Sequence, residues 1–220
     1  MPKQTASPTI AAEAPPDCPL CPRLVAYREA NRRAEPGWFN GAAPSFGDHS
    51  ARLLIVGLAP GRTGANRTGR PFTGDYAGDL LYATLKKLGL AEGEYRADPD
   101  DGFTLKGAMI TNAVRCAPPE NKPTPAEIAT CRPFLGARIA ALPKLKALFA
   151  LGSIAHESVL RAHGLKPTFA KFAHGAEAEL PGGLWLVSSY HCSRYNTQTR
   201  RLTPEMFEAA MMQAKHRAGF

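Results

Sequence analysis

Nowhere in this 220-residue chain does an apolar run approach the ~20 residues of a membrane span, which argues against a membrane partner. The first seventeen residues, Met1 to Asp17, are rich in Ala and Pro. They lack the basic start and apolar stretch of a secretion signal. Too poor in large apolar groups to order themselves, they are expected to form a disordered tail. One domain would follow over residues 18–220, in a cytoplasmic protein. No solenoid-type repeat is visible. No Gly-Lys-Ser/Thr or Gly-x-Gly-x-x-Gly pattern marks the glycine-rich loop, so P-loop and dinucleotide chemistry are set aside. The absence of a metal-binding carboxylate cluster or nucleophile–base pair counts against a small-molecule hydrolase or nucleotide-binding enzyme. Cysteine is scarce, at five, and the number is odd. In a reducing compartment these are poor disulfide candidates, so metal ligation or plain burial must explain them. Acidic residues are short too: 19 Asp and Glu against 27 Lys and Arg leave a formal charge of +8. That excess favours a polyanion, nucleic acid or an anionic membrane, without choosing between them.

A hydrophobic content of 44% and a charged content of 21% suit one globular domain. Four short apolar runs read as strands buried on both faces: Leu53–Val56, Ala108–Val114, Leu145–Leu151 and Leu184–Tyr190. Helical segments alternate with them. One runs from about Pro22 to Arg33 and another from Tyr76 to Leu90. A third starts at the capping box Thr124-Pro125-Ala126-Glu127, a fourth spans Ser153 to about His163, and the last opens at Thr203-Pro204. This alternation implies an α/β fold, a three-layer αβα arrangement with a central, mostly parallel four-stranded sheet. Ligands of such sheets bind beyond the carboxyl ends of the strands. Here those ends are Gly57–Gly61, Asn112–Cys116, Gly152-Ser153 and His191–Asn196.

Three constellations carry chemistry. Cys18 and Cys21, two residues apart, let one turn present two thiolates to one centre, and Cys116 and Cys131 lie at the sheet edge. Four thiolates fit zinc or an iron–sulfur cluster, although Cys116 and Cys131 also suit plain burial. Gly57-Leu58-Ala59-Pro60-Gly61, continuing to Gly64 and on through Arg67, Phe72 and Asp75, is a glycine-rich loop that lets backbone approach a flat ligand. Phe72 suits a stacked base or a core aromatic. Asp75 suits orientation of a water, stabilisation of a cation, or the N-cap of the helix from Tyr76. In His191-Cys192-Ser193-Arg194-Tyr195-Asn196, basic groups flank an aromatic, as suits a phosphate backbone with an unstacked base. Arg62, Arg70 and Arg115 join Arg67 as a basic rim at the same edge, with or without a ligand.

Together these runs resemble the uracil-DNA glycosylase superfamily, most closely its iron–sulfur-containing family 5, from Cys18 to about Leu202. The glycine-rich loop from Gly57 to Asp75 is similar to that family's first motif, and His191–Asn196 to its second. The resemblance implies catalytic roles for Asp75 and His191. It implies base binding by Gly57, Leu58, Ala59, Phe72 and Asn112, and DNA contacts from Arg67, Ser193, Arg194, Tyr195 and Asn196. Cys18, Cys21, Cys116 and Cys131 fall where the family holds a 4Fe-4S cluster. Two positions depart from commoner patterns: Ala59 stands where many relatives place Asp or Asn, and Cys192 where Pro is usual. Leu58, where family 4 has Glu, favours family 5. The expected partner is double-stranded DNA containing uracil or other deaminated bases such as hypoxanthine, bound by a monomer. The alternative is a non-catalytic iron–sulfur protein that binds nucleic acid.

Overall fold

The computed structural model describes residues 11–220. Its elements in chain order are α1 (Pro22–Ala34), β1 (Phe46–Gly47), β2 (Leu53–Gly57), α2 (Ala65–Thr68), α3 (Tyr76–Lys87), β3 (Ala91–Glu92), β4 (Thr104–Leu105), β5 (Ala108–Asn112), α4 (Pro125–Ala140), β6 (Ala147–Leu151), α5 (Ser153–Ala162), β7 (Glu177–Leu180), β8 (Leu184–Ser189), α6 (Arg194–Gln198) and α7 (Pro204–Arg217).

Four of the strands pair in parallel in the order β5-β2-β6-β8, and these are the four apolar runs of the sequence. Two antiparallel edge strands, β1 beside β5 and β7 beside β8, widen the sheet to six. Both edges escape a reading by pattern. The first has only two residues, and the second, Glu-Ala-Glu-Leu, carries charge on an exposed border.

Successive side chains of β2 point to opposite faces, and each face has its own core. Leu53 and Ile55 pack with Leu81 and Leu85 of α3 and with Phe207, Met211 and Ala214 of α7. Leu54 and Val56 pack with Leu135 of α4 and with Ala155, Val159 and Leu160 of α5. Each fully buried Leu or Ile contributes about 1.5–3 kcal/mol. The capping box at α4 forms in both directions: Glu127 N donates to Thr124 Oγ1 at 3.2 Å, and Thr124 N to Glu127 Oε2 at 2.7 Å. At α7, the Thr203 hydroxyl accepts from Met206 N ahead of Pro204.

The N-terminal segment corrects one expectation. Residues 1–10 lie outside the described residues, but residues 11–17 are docked rather than loose. Ala14 is buried, and Glu13 pairs with both Arg115 and Arg138. Two buried guanidiniums needing a counter-charge supply the ordering that apolar content does not.

Candidate functional site

Because the four parallel strands end at one edge, the loops after them meet there. Gly57, the last residue of β2, lies in register beside Asn112, the last of β5. A cavity of about 520 Å³ opens above them. Its lining includes Leu58, Ala59, Phe72, Asp75, Asn112 and His191. Four residues singled out for chemistry, from three separate loops, thus face one space.

Each is set by local structure. Asn112 is buried, and its Oδ1 has no hydrogen-bond partner. A buried unsatisfied amide oxygen costs about 1–3 kcal/mol, which a donor brought in by a ligand would relieve. Gly57 does not line the cavity but lies beneath it. A Cβ there would collide with Asn112 Oδ1 and come within 2.6 Å of Phe72 Cζ. Only glycine lets both groups close over the strand end.

Phe72 has φ +57°, a left-handed conformation rare for an aromatic residue, with a strain of about 1–3 kcal/mol. Its ring stacks loosely with the imidazole of His191, centroids 6.0 Å apart and planes 26° from parallel. The two rings form one side of the cavity.

Asp75 takes the N-cap role weighed for it and leaves its second oxygen uncommitted to the cap. One oxygen, Oδ1, caps α3 by accepting from Gly78 N at 2.9 Å. The other, Oδ2, lies over the glycine-rich loop: a Cβ on Gly64 or Gly61 would sit 3.5 or 3.6 Å from it. The carboxyl opens onto the cavity and Asp75 stays exposed, yet partial desolvation by the surrounding walls raises its pKa above the usual aspartate value, against the lowering effect of the Gly78 amide. His191 is held by Asn196, whose side-chain amide donates to its carbonyl at 2.8 Å. Burial pushes the imidazole down to about 4, so the ring is neutral at physiological pH.

The expected DNA contacts divide. Ser193 and Arg194 line the mouth of the cavity, and Tyr195 is 72% exposed beside them on α6. Asn196 turns its side-chain amide inward to the His191 carbonyl. Arg67 lies outside the cavity lining, exposed on the outer side of the loop, with Nε donating to Thr63 O. The wider basic rim is corrected. Arg115 is fully buried against Glu13, and Arg70 is buried in a two-pronged pair with Asp101 at 2.8 Å. Arg62 is partly held by Asn31 and lies over Trp38. Some lining residues were missed, Thr63, Tyr76 and Asn121 among them; Asn121, at φ +57° after β5, faces the same space. Its only sequence signal was an Asn in a Pro-rich loop, a residue type that tolerates left-handed backbone.

A second, apolar pocket lies beside the first. Cys18, Cys21, Cys116 and Cys131 all line it, with Ala14, Leu24, Val114 and Phe134. Two donors point at sulfur: Arg115 N to Cys131 Sγ at 3.3 Å and Arg28 Nη1 to Cys116 Sγ at 3.9 Å. Burial pushes Cys116 up to about 12 and Cys131 up to about 11, and the neighbouring cysteines add to the rise. Among the described residues, no three His, Cys, Asp or Glu side chains group closely enough to hold a metal ion. Cys192 stands apart, fully buried, with Sγ donating to Ala77 O at 3.5 Å. No helix among the described residues is long and apolar enough to cross a membrane.

Comparison with known proteins fits this geometry. The model of the uracil DNA glycosylase superfamily matches residues 44–215. A type-5 uracil-DNA glycosylase of Thermus thermophilus is 50% identical over 208 residues, covering 92% of this chain and 94% of that protein. One from Mycobacterium tuberculosis is 44% identical over 211 residues, 92% of this chain and 78% of its own. A type-4 uracil-DNA glycosylase of Pyrobaculum aerophilum is more distant, 33% identical over 149 residues, 67% of this chain and 62% of its own.

Proposed function

The chain belongs to the uracil DNA glycosylase superfamily, and from that premise we propose that it excises uracil from DNA by hydrolysing the N-glycosidic bond, as a type-5 enzyme of base-excision repair. The observation that carries this reading is the convergence of Phe72, Asn112, Asp75 and His191 on one cavity.

A base inside a duplex is out of reach, so the target is everted, most cheaply from a mismatch. Phe72 lies against the everted ring. Backbone groups of Leu58 and Ala59 meet its edge, and Asn112 Oδ1 accepts the N3–H that uracil has and cytosine lacks. Breaking the bond between N1 and C1′ leaves the electron pair on the base and positive charge on the sugar. His191 donates a hydrogen bond to the pyrimidine oxygen as negative charge grows there, and as a neutral ring it does so without losing its proton. The Oδ2 of Asp75, free of the helix cap, faces the sugar. It stabilises the cation, orients the water that bonds to C1′, and takes that water's proton. Ser193 and Arg194 grip phosphates at the cavity mouth, and Tyr195 fills the vacated stack. Arg67 meets the backbone farther out. Ala59 places no polar side chain against the base edge, which supports a wider range of deaminated bases, hypoxanthine among them. The working unit in this proposal is a monomer on double-stranded DNA.

A 4Fe-4S cluster is the group proposed for the cysteine pocket. The donor set supports it: four thiols on one apolar pocket, with N–H donors aimed at two of the sulfurs. Cys18, Cys21, Cys116 and Cys131 would hold it, and it would tie the N-terminal segment to the sheet edge. Thiolate ligands call for a reducing compartment, in keeping with a cytoplasmic enzyme.

A labelled duplex with one U·G pair tests the reading. Purified protein is expected to leave an alkali-sensitive site at that position, and Asp75→Ala and His191→Ala to slow its appearance by about 10²–10⁴. Equal binding of uracil-containing and normal DNA with no abasic product would instead describe a non-catalytic binding protein.

A further inference from the structure

A segment outside both motif loops holds the strained aromatic of the base cavity. The Tyr95 hydroxyl donates to the Phe72 carbonyl at 3.2 Å. The same oxygen sits where the first turn of α3 passes: a Cβ on Gly78 would come within 3.0 Å of it and would collide with the Phe72 carbonyl itself. Gly78 N is the amide that caps onto Asp75. One hydroxyl therefore stands at the junction of the residue carrying the stacking ring and the turn carrying the carboxylate.

The Tyr95 ring is itself fixed. It stacks on Tyr82 with centroids 4.5 Å apart and meets Phe103 edge-on at 6.0 Å. Its segment is closed by Asp101, which accepts from Arg96 N and Phe103 N and receives both prongs of the Arg70 guanidinium. Arg70 lies two residues before Phe72, so the pair ties the motif loop to the 95–103 segment at a second point. A left-handed aromatic persists only where its surroundings over-determine it.

We propose that Tyr95 is a positioning residue for uracil recognition: its hydroxyl holds the Phe72 backbone in the left-handed conformation that sets the width of the base slot against Gly57, and keeps that slot in register with Asp75. The inference rests on the uracil-excision reading above. Without the hydroxyl, Phe72 relaxes towards ordinary backbone angles, its ring withdraws, and a small pyrimidine loses its stacking partner. A double-ringed base, which reaches farther, loses less.

Steady-state kinetics on a U·G duplex test this with Tyr95→Phe, which keeps the ring contacts and removes one oxygen. The expected result is a five- to tenfold rise in KM with kcat within about twofold and a melting temperature within a few degrees of wild type. Tyr82→Phe is the control. It removes the hydroxyl of a fully buried tyrosine, the one donating to Pro71 O at 2.6 Å, and leaves the Phe72 carbonyl held; Tyr95 is only half-buried. A purely structural role predicts at least as large an effect in the more deeply buried Tyr82→Phe; positioning predicts a raised KM in Tyr95→Phe alone. If wild-type protein releases uracil and Tyr95→Phe shows an unchanged KM, or both variants shift it alike, the inference fails by itself. Wild-type protein that releases no uracil brings down the underlying reading, and this inference with it.

Discussion

Two pockets share the end of β5, and they are built in opposite ways. The base cavity, floored by Asn112, is left chemically incomplete: an amide oxygen without a partner, a carboxylate with one oxygen committed and one open, and an uncharged imidazole. The cysteine pocket, starting a few residues on at Val114, is walled by apolar side chains and braced by buried arginines. The first is arranged for an occupant that comes and goes, because its unsatisfied groups gain only when something binds. The second suits an occupant that stays, because its thiols are costly to ionise without a permanent positive partner.

The comparison breaks most readily at the base cavity. Asp75→Ala and His191→Ala are each expected to lower kcat on a U·G duplex by about 10²–10⁴, as removal of a positioned acid–base or oxyanion group does. Asp75→Ala also removes a helix cap, for about 1 kcal/mol of stability, so Asp75→Asn, which keeps a capping oxygen, separates the charge from the cap. Full activity in Asp75→Asn would remove the carboxylate from the chemistry. In the other pocket, Cys116→Ala is expected to abolish brown colour and broad absorbance near ~400 nm and to destabilise the fold by more than about 4 kcal/mol, read by thermal melting. Any surviving folded fraction should keep its KM. A shifted KM with intact stability would show that the two pockets are not separable, and a colourless, zinc-loaded wild type would contradict the cluster. Gly57→Ala should cost about 10² in kcat/KM, since its methyl displaces both Asn112 and Phe72. The smallest effects lie at the mouth and in the pH profile. Arg194→Ala should weaken DNA binding several-fold and reduce the salt slope by about 1. Between pH 5 and 8, His191 is already neutral, so kcat/KM should show no step near 6.5. Activity should fall on the acid side as Asp75 takes up its proton, at a pH above that of an ordinary aspartate. A step near 6.5 that vanishes in His191→Ala would mean that the ring works charged.

Legibility followed physical scale. The four parallel strands announce themselves because burial on both faces demands unbroken apolar runs, and α4 because Thr124 and Glu127 satisfy each other's backbone. The two-residue β1 and the single-turn α2 and α6 carry too few residues for a period to show. Asp75, Phe72, Asn112 and His191 were readable because the parallel topology sends every strand end to one edge. The direction of the arginines was not. Arg70 and Arg115 look like any basic loop residue until Asp101 and Glu13, distant in sequence, are seen beside them. The inward turn of the Asn196 amide was hidden for the same reason, since only the folded loop shows it bound to His191.

Glu13 sets a sharp limit on how far the chain can be shortened. Its carboxylate answers two guanidiniums that are otherwise sealed from water, Arg115 and Arg138, and the Nε of each already lacks a partner. Among the described residues, trimming from the amino end should cost most at positions 12 and 13, where Arg115 loses the Ala12 carbonyl and both guanidiniums lose the Glu13 carboxylate. At that step two buried cations, Arg115 beside Cys131 among them, would be left without their counter-charge and would pull water into an apolar wall. A ladder of amino-terminal truncations read by thermal melting should show its steepest drop at that step.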